Sequence, residues 1–296
     1  DTVTSMVLRV DTDTGVSGWG EVCPIPHYLP AYAGGVRPAL DYLAPVLIGA
    51  DPVGPEAVMG RSDAFLKGHV YAKSALDLAL WDITGKVAGL PLFALLGGRQ
   101  VADMPIYHSI TCVGAGPLVY GDWNCGATRL EAIRVGRAVA RLDIMLEQPC
   151  ATLEDCAAVR TATGLPMKID ETAHDTASLL QAYEFGCMDA VTLKLSKFGG
   201  LSPLRRARDL CLHLGAKMCI EDTWGSDVTT AALLHLAAAT PERLLLNSCD
   251  LSGYVAPRLD SGGPVRAGGR IAPPRGVGLG ITPDAEVLGQ ASAIID

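Results

Sequence analysis

Three acids and a lysine each close a short hydrophobic run. Asp122 follows Leu118-Val119-Tyr120-Gly121, Glu147 follows Ile144-Met145-Leu146, Asp170 follows Met167-Lys168-Ile169, and Lys194 follows Ala190-Val191-Thr192-Leu193. The steps between them are 25, 23 and 24 residues (122 to 147, 147 to 170, 170 to 194). One strand, one crossover helix and two short loops fill about that length, so each step returns the chain to the same end of a parallel sheet. The four side chains should converge there. Three gathered carboxylates repel one another and are costly to bury unpaired, a cost that a divalent cation removes. Hard oxygen donors suit Mg²⁺, with positions left for water and substrate oxygens. Lys194 then faces the ion as an amine base, and beside a cation its pKa is expected to fall toward neutrality. The pattern predicts a metal-dependent enzyme.

Other residues stand close to these four in sequence. Lys168, two residues before Asp170, shares its face of the strand and reads either as a support for the ligands or as a structural ion pair. Asn124 either orients metal-bound water or substrate, or forms a turn. His174 is placed to cap the next helix rather than to bind metal, and Lys197, ahead of Phe198-Gly199-Gly200, to cap a strand-to-helix turn.

The elements that must carry these residues divide into two regions. Alternation around Asp13-Thr14-Gly15 predicts two N-terminal strands, followed by a loop over Cys23 to Gly35. Apolar residues at 72, 75, 76, 79, 80 and 83 predict an amphipathic helix over 71–88 that Gly89 and Pro91 close. From Met104 the rhythm turns to strand, helix, strand, helix. Strands are expected near 105–112, 117–122, 143–147, 167–170, 189–194, 217–221 and 244–248, with helices near 128–141, 176–186, 202–214 and 227–239. This predicts a TIM-like (β/α)8 barrel over 104–269, one unit short, beneath an α+β capping domain of residues 1–103 completed by 270–296. The short link Gly114-Ala115-Gly116-Pro117 cannot supply a parallel crossover. Either the 105–112 strand pairs antiparallel, or a βα unit is missing between Val113 and Gly114; the second reading also supplies the eighth strand. The chain opens without Met on a strand-like segment, which points to a longer natural chain.

Composition narrows the class. With 296 residues, 49% hydrophobic, the chain can bury a large core. A net charge of −8 without a basic run argues against nucleic-acid binding. No apolar stretch is long enough to span a bilayer and no signal-like segment leads the chain, so a soluble, cytoplasmic protein is expected. The nine cysteines are irregularly spaced with no Cys-x-x-Cys, which reads as reduced thiols used as small core residues.

Taken together, these motifs resemble the enolase superfamily and, within it, the muconate-lactonizing-enzyme branch. The resemblance runs over nearly the whole chain, through Gly18-Trp19-Gly20-Glu21, Ala75-Leu76-Asp77-Leu78-Ala79-Leu80-Trp81-Asp82, Gly97-Gly98, Asp122-Trp123-Asn124, Leu146-Glu147-Gln148-Pro149, Asp170-Glu171 and Lys194-Leu195-Ser196-Lys197-Phe198-Gly199-Gly200. It implies Asp122, Glu147 and Asp170 as Mg²⁺ ligands and Lys194 as a catalytic base. It also implies a second catalytic lysine in a Lys-x-Lys motif on the second barrel strand. No lysine lies between Lys86 and Lys168, so the missing lysine and the short join point to the same absent unit. The segment Met218-Cys219-Ile220-Glu221-Asp222-Thr223-Trp224 lacks the histidine of the mandelate-racemase branch, which favours two-lysine chemistry.

Within the branch the pattern is most similar to enzymes acting on hydroxyproline and proline betaine. That implies removal of the α-proton of a cyclic amino-acid carboxylate, with dehydration of cis-3-hydroxy-L-proline to Δ1-pyrroline-2-carboxylate as the expected reaction. The alternative is a 2-epimerase of proline betaine, hydroxyproline betaine or a related amino acid. Tyr28, Tyr32 and Trp224 are expected to offer aromatic faces to the small-molecule substrate, and Asp222 or Asp250 to receive an ammonium N–H. Cys249 stands where an epimerase of betaines would place an aromatic. Asn247-Ser248-Cys249-Asp250 carries one acid where dipeptide epimerases carry Asp-x-Asp. The resemblance implies a homo-oligomer.

Overall fold

Side-chain alternation builds an N-terminal hairpin, β1 (Met6–Asp11) against β2 (Ser17–Val22), turning where Gly15 takes a φ of 80°. The computed structural model describes residues 2–107 and 119–295. Helices α1 (Val36–Leu47), α2 (Pro55–Phe65) and α3 (Val70–Ala88) cover the hairpin, and the short α4 (Leu92–Leu95) leads to the second region. The hairpin sits directly on α3. A Cβ at Gly18 or Gly20 would strike the carbonyls of Ala79 and Ala75, which is why Gly-Trp-Gly has glycine at both positions.

The second region is a parallel sheet wrapped by helices. After β3 (Met104–Pro105) come β4 (Val119–Asp122), α5 (Arg129–Val139), β5 (Ile144–Glu147), α6 (Leu153–Thr163), β6 (Met167–Ile169) and α7 (Thr176–Glu184). Then follow β7 (Ala190–Lys194), α8 (Leu195–Phe198), α9 (Leu201–Leu214), β8 (Lys217–Glu221), α10 (Asp227–Ala238) and β9 (Leu245–Ser248). Strands β4 to β9 pair in sequence order, all parallel. Every residue of β7 is buried, as expected of a strand covered on both faces.

β3 pairs antiparallel with β10 (Arg270–Ile271), whereas the next residue, Ile106, bridges parallel to Ser248 of β9. The first barrel strand thus joins beyond the last, and the sheet curls as in a TIM-like barrel. The Val113–Gly114 join lies outside the described residues. A last short helix, α11 (Ala285–Leu288), precedes Ile295, which packs on the core of the N-terminal region.

Helix α3 departs from the one-faced amphipathic helix expected from its apolar spacing: Lys73, Ser74, Asp77 and Asp82 are buried as well. The hairpin covers one side and the barrel helices α8 and α9 the other, so Asp77 and Asp82 become joints to the elements around them, while Lys73 pairs with Asp63 inside the N-terminal region. Asp77 accepts from Ser202 N at 2.8 Å and its hydroxyl at 2.5 Å, in the first turn of α9. Asp82 accepts from Trp19 N at 3.0 Å and Leu279 N at 2.8 Å. From β2, Glu21 accepts from Ser226 N at 3.0 Å and Thr229 N at 3.1 Å, at the start of α10. Carboxylates placed at helix N-termini satisfy free N–H groups and suit the helix dipole.

A fourth joint titrates. His235 of α10 is buried, its Nδ1 accepting from Phe93 N at 3.2 Å and its Nε2 bonded to the carbonyl of Leu279 at 3.0 Å. Desolvation pushes its pKa down to about 4 from an ordinary 6.5. The folded protein therefore holds this imidazole neutral while the unfolded chain protonates below about pH 6.5. The stability this group supports is complete above pH 6.5 and is lost as pH falls toward 4, about 3 kcal/mol in all. Denaturant unfolding of the parent and His235→Gln across this window should show that difference shrinking as pH falls. Parallel curves would refute it.

Among the described residues no helix is long and apolar enough to cross a membrane. The described cysteines are all unpaired, and most are buried.

Candidate active site

Register decides what the strand ends bring together. Asp122 of β4 stands opposite Glu147 of β5, and Lys194 of β7 opposite Glu221 of β8. Between β5 and β6 the stagger places Lys168, not Asp170, opposite Glu147. Asp170 therefore lies one step further toward the rim. Its backbone N–H donates to Gln148 Oε1 at 3.0 Å. Asn124, Cys125 and Gln148 take φ of 44°, 62° and 32°. Three non-glycine residues in the left-handed region, each beside a strand-end acid, concentrate backbone strain at this rim.

The acids and amines form one network. Lys194 Nζ lies 2.5 Å from Asp170 Oδ2 and 3.9 Å from Glu221 Oε1. Lys197 Nζ donates to Asp170 Oδ1 at 2.8 Å and to the Asp170 carbonyl at 2.6 Å. Lys197 is thus a partner of Asp170 rather than the turn cap expected from its position. Lys168 Nζ lies 2.9 Å from Glu147 Oε1, which also accepts from Thr192 Oγ1 at 2.9 Å. Asn124 holds both Asp122 Oδ2 and Glu171 Oε1 at 2.9 Å. The cap of α7 is Asp175, one residue beyond His174.

The electrostatics follow from burial and neighbours. Glu147 is pushed up to about 7 by desolvation and by Asp122, Glu221 and Asp170, against the Lys168 ammonium. Asp170 is held low: desolvation opposes ionisation, but Lys197 and Lys194 outweigh it. The fall expected of the Lys194 pKa presupposes a bound cation, and without one the balance runs the other way. Desolvation does push it down, but Asp170 and Glu221 face the ammonium and carry it above the ordinary lysine range. Lys197 moves the other way, lowered by its own burial.

A divalent cation here can be tested against the donors. Among the described residues no three acids lie together as a ready-made metal cluster. Asp170 has both oxygens engaged by lysines, and Asp122 is turned to Asn124. In type and placement the residues fit: three hard carboxylates end three neighbouring strands, and no donor among the described residues reaches Glu147 Oε2. Asp122, Glu147 and Asp170 are the residues that would hold the ion.

The expected substrate contacts are spread more widely. Asp222 is buried and turned inward, accepting from Ser196 N at 3.0 Å and Ser196 Oγ at 2.5 Å; burial lifts its pKa to about 6. Asp250 accepts from Ser252 Oγ and Gly253 N, both at 2.9 Å, with Arg266 Nε 3.6 Å away. Trp224 lies at the rim with its ring centroid 6.3 Å from that of Tyr254, and its indole N–H meets no acceptor among the described residues. Cys249 is buried, its thiol lifted well above the usual range by burial and by Glu221. Tyr28 and Tyr32 are exposed on the loop after β2, with Tyr32 beside Gly35.

Three residues join the site that their sequence positions alone did not mark. Glu221 closes β8 as Lys194 closes β7, 27 residues later (194 to 221), so the strand-end rule that found the others also reaches it. Tyr107 lies among Glu221, Cys249 and Cys219, and Tyr120 beside Cys219 and Lys168 with its hydroxyl accepting from Asn247 Nδ2 at 3.1 Å; burial lifts both phenols. Neither ends a strand, and no sequence signal singles them out.

A curled parallel sheet with carboxylates and a lysine at one rim, under an α+β cap, is the architecture of a barrel enzyme. The chain belongs to the mandelate racemase / muconate lactonizing enzyme family of the enolase superfamily. Residues 1–97 match the family's N-terminal domain, and residues 111–287 match the description "Enolase C-terminal domain-like". It is 37% identical to a cis-3-hydroxy-L-proline dehydratase of Roseibium aggregatum, over 98% of this chain and 90% of the relative. That alignment runs over 332 positions against 296 residues here, so at least 36 positions (332 − 296) have no counterpart in this chain. An N-succinyl-L-Arg/Lys racemase of Bacillus cereus is 24% identical over 84% of the chain and 79% of the relative. A crystal structure of an enolase-superfamily member from Roseovarius nubinhibens, complexed with magnesium, matches with a TM-score of 0.91 at 36% identity, over 98% of this chain and 91% of that one.

Proposed function

We propose that this chain is a Mg²⁺-dependent hydro-lyase that dehydrates cis-3-hydroxy-L-proline to Δ1-pyrroline-2-carboxylate. The observation that carries this is the Lys194 amine, set between Asp170 and Glu221 at the rim where the strand-end acids gather. A magnesium ion held by Asp122, Glu147 and Asp170 would supply Lewis-acid stabilisation of the charge that develops on the substrate carboxylate. Lys194 Nζ takes the proton from C2. Glu221 is a buried carboxylate with only Cys219 Sγ as a hydrogen-bond donor at 3.1 Å among the described residues, and it suits the ring ammonium of an amino acid. Trp224 borders the same mouth and shields it from water.

The stereochemistry favours two opposed groups. In cis-3-hydroxy-L-proline the C2 hydrogen and the C3 hydroxyl lie on opposite ring faces. As the C2–H bond breaks, its electron pair forms the C2–C3 double bond and the C3–O bond opens. The hydroxyl leaves as water with a proton from an acid on the far face, and the enamine tautomerises to the cyclic imine. The far-face acid belongs where the family's second-strand lysine stands. The aromatic pair Trp224 and Tyr254 favours a second reading, 2-epimerisation of proline betaine or a related substrate, since such rings suit a quaternary ammonium.

Protein, Mg²⁺ and cis-3-hydroxy-L-proline should yield an imine that condenses with an aminobenzaldehyde reagent. Deuterium entering C2 of proline betaine with no imine formed would decide for the epimerase. Neither signal, with Mg²⁺ bound, would eliminate both reactions.

A further inference from the structure

We propose that Lys168 is the positioning residue that sets the three metal-binding carboxylates relative to one another. The proposal rests on the magnesium site described above. Lys168 stands level with Glu147 in the strand register and one layer below Asp170. Its own strand, β6, leads into Asp170 two residues on. Its Nζ lies 2.9 Å from Glu147 Oε1 on β5. The same ammonium stands 4.1 Å from the ring centroid of Tyr120, which precedes Asp122 by two residues on β4. Side chains two apart on a strand share a face, so each contact lies one layer below the rim acid of its strand or meets that acid itself. One buried charge therefore ties together the three strands that carry the ligands.

The effect on Glu147 is directional. Lys168 and Thr192 Oγ1 both occupy Oε1, each at 2.9 Å, while no donor among the described residues reaches Oε2. A carboxylate gripped by one oxygen presents the other along a set direction, and the order needed for ligation is already in place. The Lys168 side chain is only 2% exposed, so its ammonium has no bulk water to exchange for these partners. Thr192 extends the grip to β7, the strand of Lys194.

The test is a calorimetric Mg²⁺ titration of the full chain and of Lys168→Met, which keeps the length of the side chain and removes its charge. Loss of a group that orients a ligand should raise the Mg²⁺ Kd about 10–100-fold. Tighter binding would mean that Lys168 is merely a like charge near the ion. An unchanged Kd with a lowered Tm would mean a structural ion pair. Either result overturns the assignment. Because Lys168→Met leaves Glu147 buried without its cation, Tyr120→Leu is measured beside it: the ion pair stays and the ring is lost. Its Kd should rise about 2–10-fold, and an unchanged value overturns the proposal even where Lys168→Met does not fold. If the parent takes up no Mg²⁺, the magnesium site itself fails. A parent that binds beside an unaffected Lys168→Met rejects Lys168 alone.

Discussion

Lys194→Ala is expected to lower turnover of cis-3-hydroxy-L-proline by about 10²–10⁴-fold, the usual contribution of a positioned acid–base group. Lys194 lies 2.5 Å from Asp170 Oδ2 and 3.9 Å from Glu221 Oε1, and it closes its strand as the acids close theirs. Alanine removes a positive charge and no oxygen donor, so the Mg²⁺ Kd should not rise. Lys194→Arg separates the two roles of the amine. A guanidinium preserves the contact with Asp170 but stays protonated at all ordinary pH, so this variant should be as inactive as alanine. The readout is deuterium wash-in at C2 together with imine formation. Undiminished wash-in in either variant would take Lys194 out of the mechanism.

Chelation should act as strongly. Stripping divalent cations with excess EDTA is expected to lower activity by at least about 10³-fold, and added Mg²⁺ to restore it, because Lewis-acid stabilisation of this kind contributes several kcal/mol. The structural ground is the imbalance of charge. Burial, with Asp122, Glu221 and Asp170 close by, lifts Glu147 to about 7. Three lysines, Lys168, Lys194 and Lys197, face the four acids Asp122, Glu147, Asp170 and Glu221, which leaves the rim acidic. Full turnover in the presence of chelator would end the case for a metal enzyme.

These expectations draw unequally on the sequence. The strands carrying Asp122, Glu147, Asp170 and Lys194 lie within a residue or two of the positions that the apolar runs predict. Buried parallel strands are short and continuous in hydrophobicity, so their ends are sharp in the sequence. The polar side of α3 was not legible in the same way. Asp77 and Asp82 look like solvent-facing residues of an amphipathic helix until the barrel is brought against them. The roles of His174 and Lys197 went astray for a related reason. A cap position one residue off, or a lysine long enough to reach the neighbouring strand, leaves no trace in local spacing.

The sequence by itself determined that three acids and a lysine occupy one rim of a barrel, because a repeated βα length returns the chain to the same edge and needs no knowledge of packing. Only the tertiary structure decided which amine serves which acid. Sheet stagger sets Lys168 opposite Glu147 and carries Asp170 up to Lys194 and Lys197, and it places Glu221 beside Lys194. Stagger arises from the curl of the whole sheet, and no single strand encodes it.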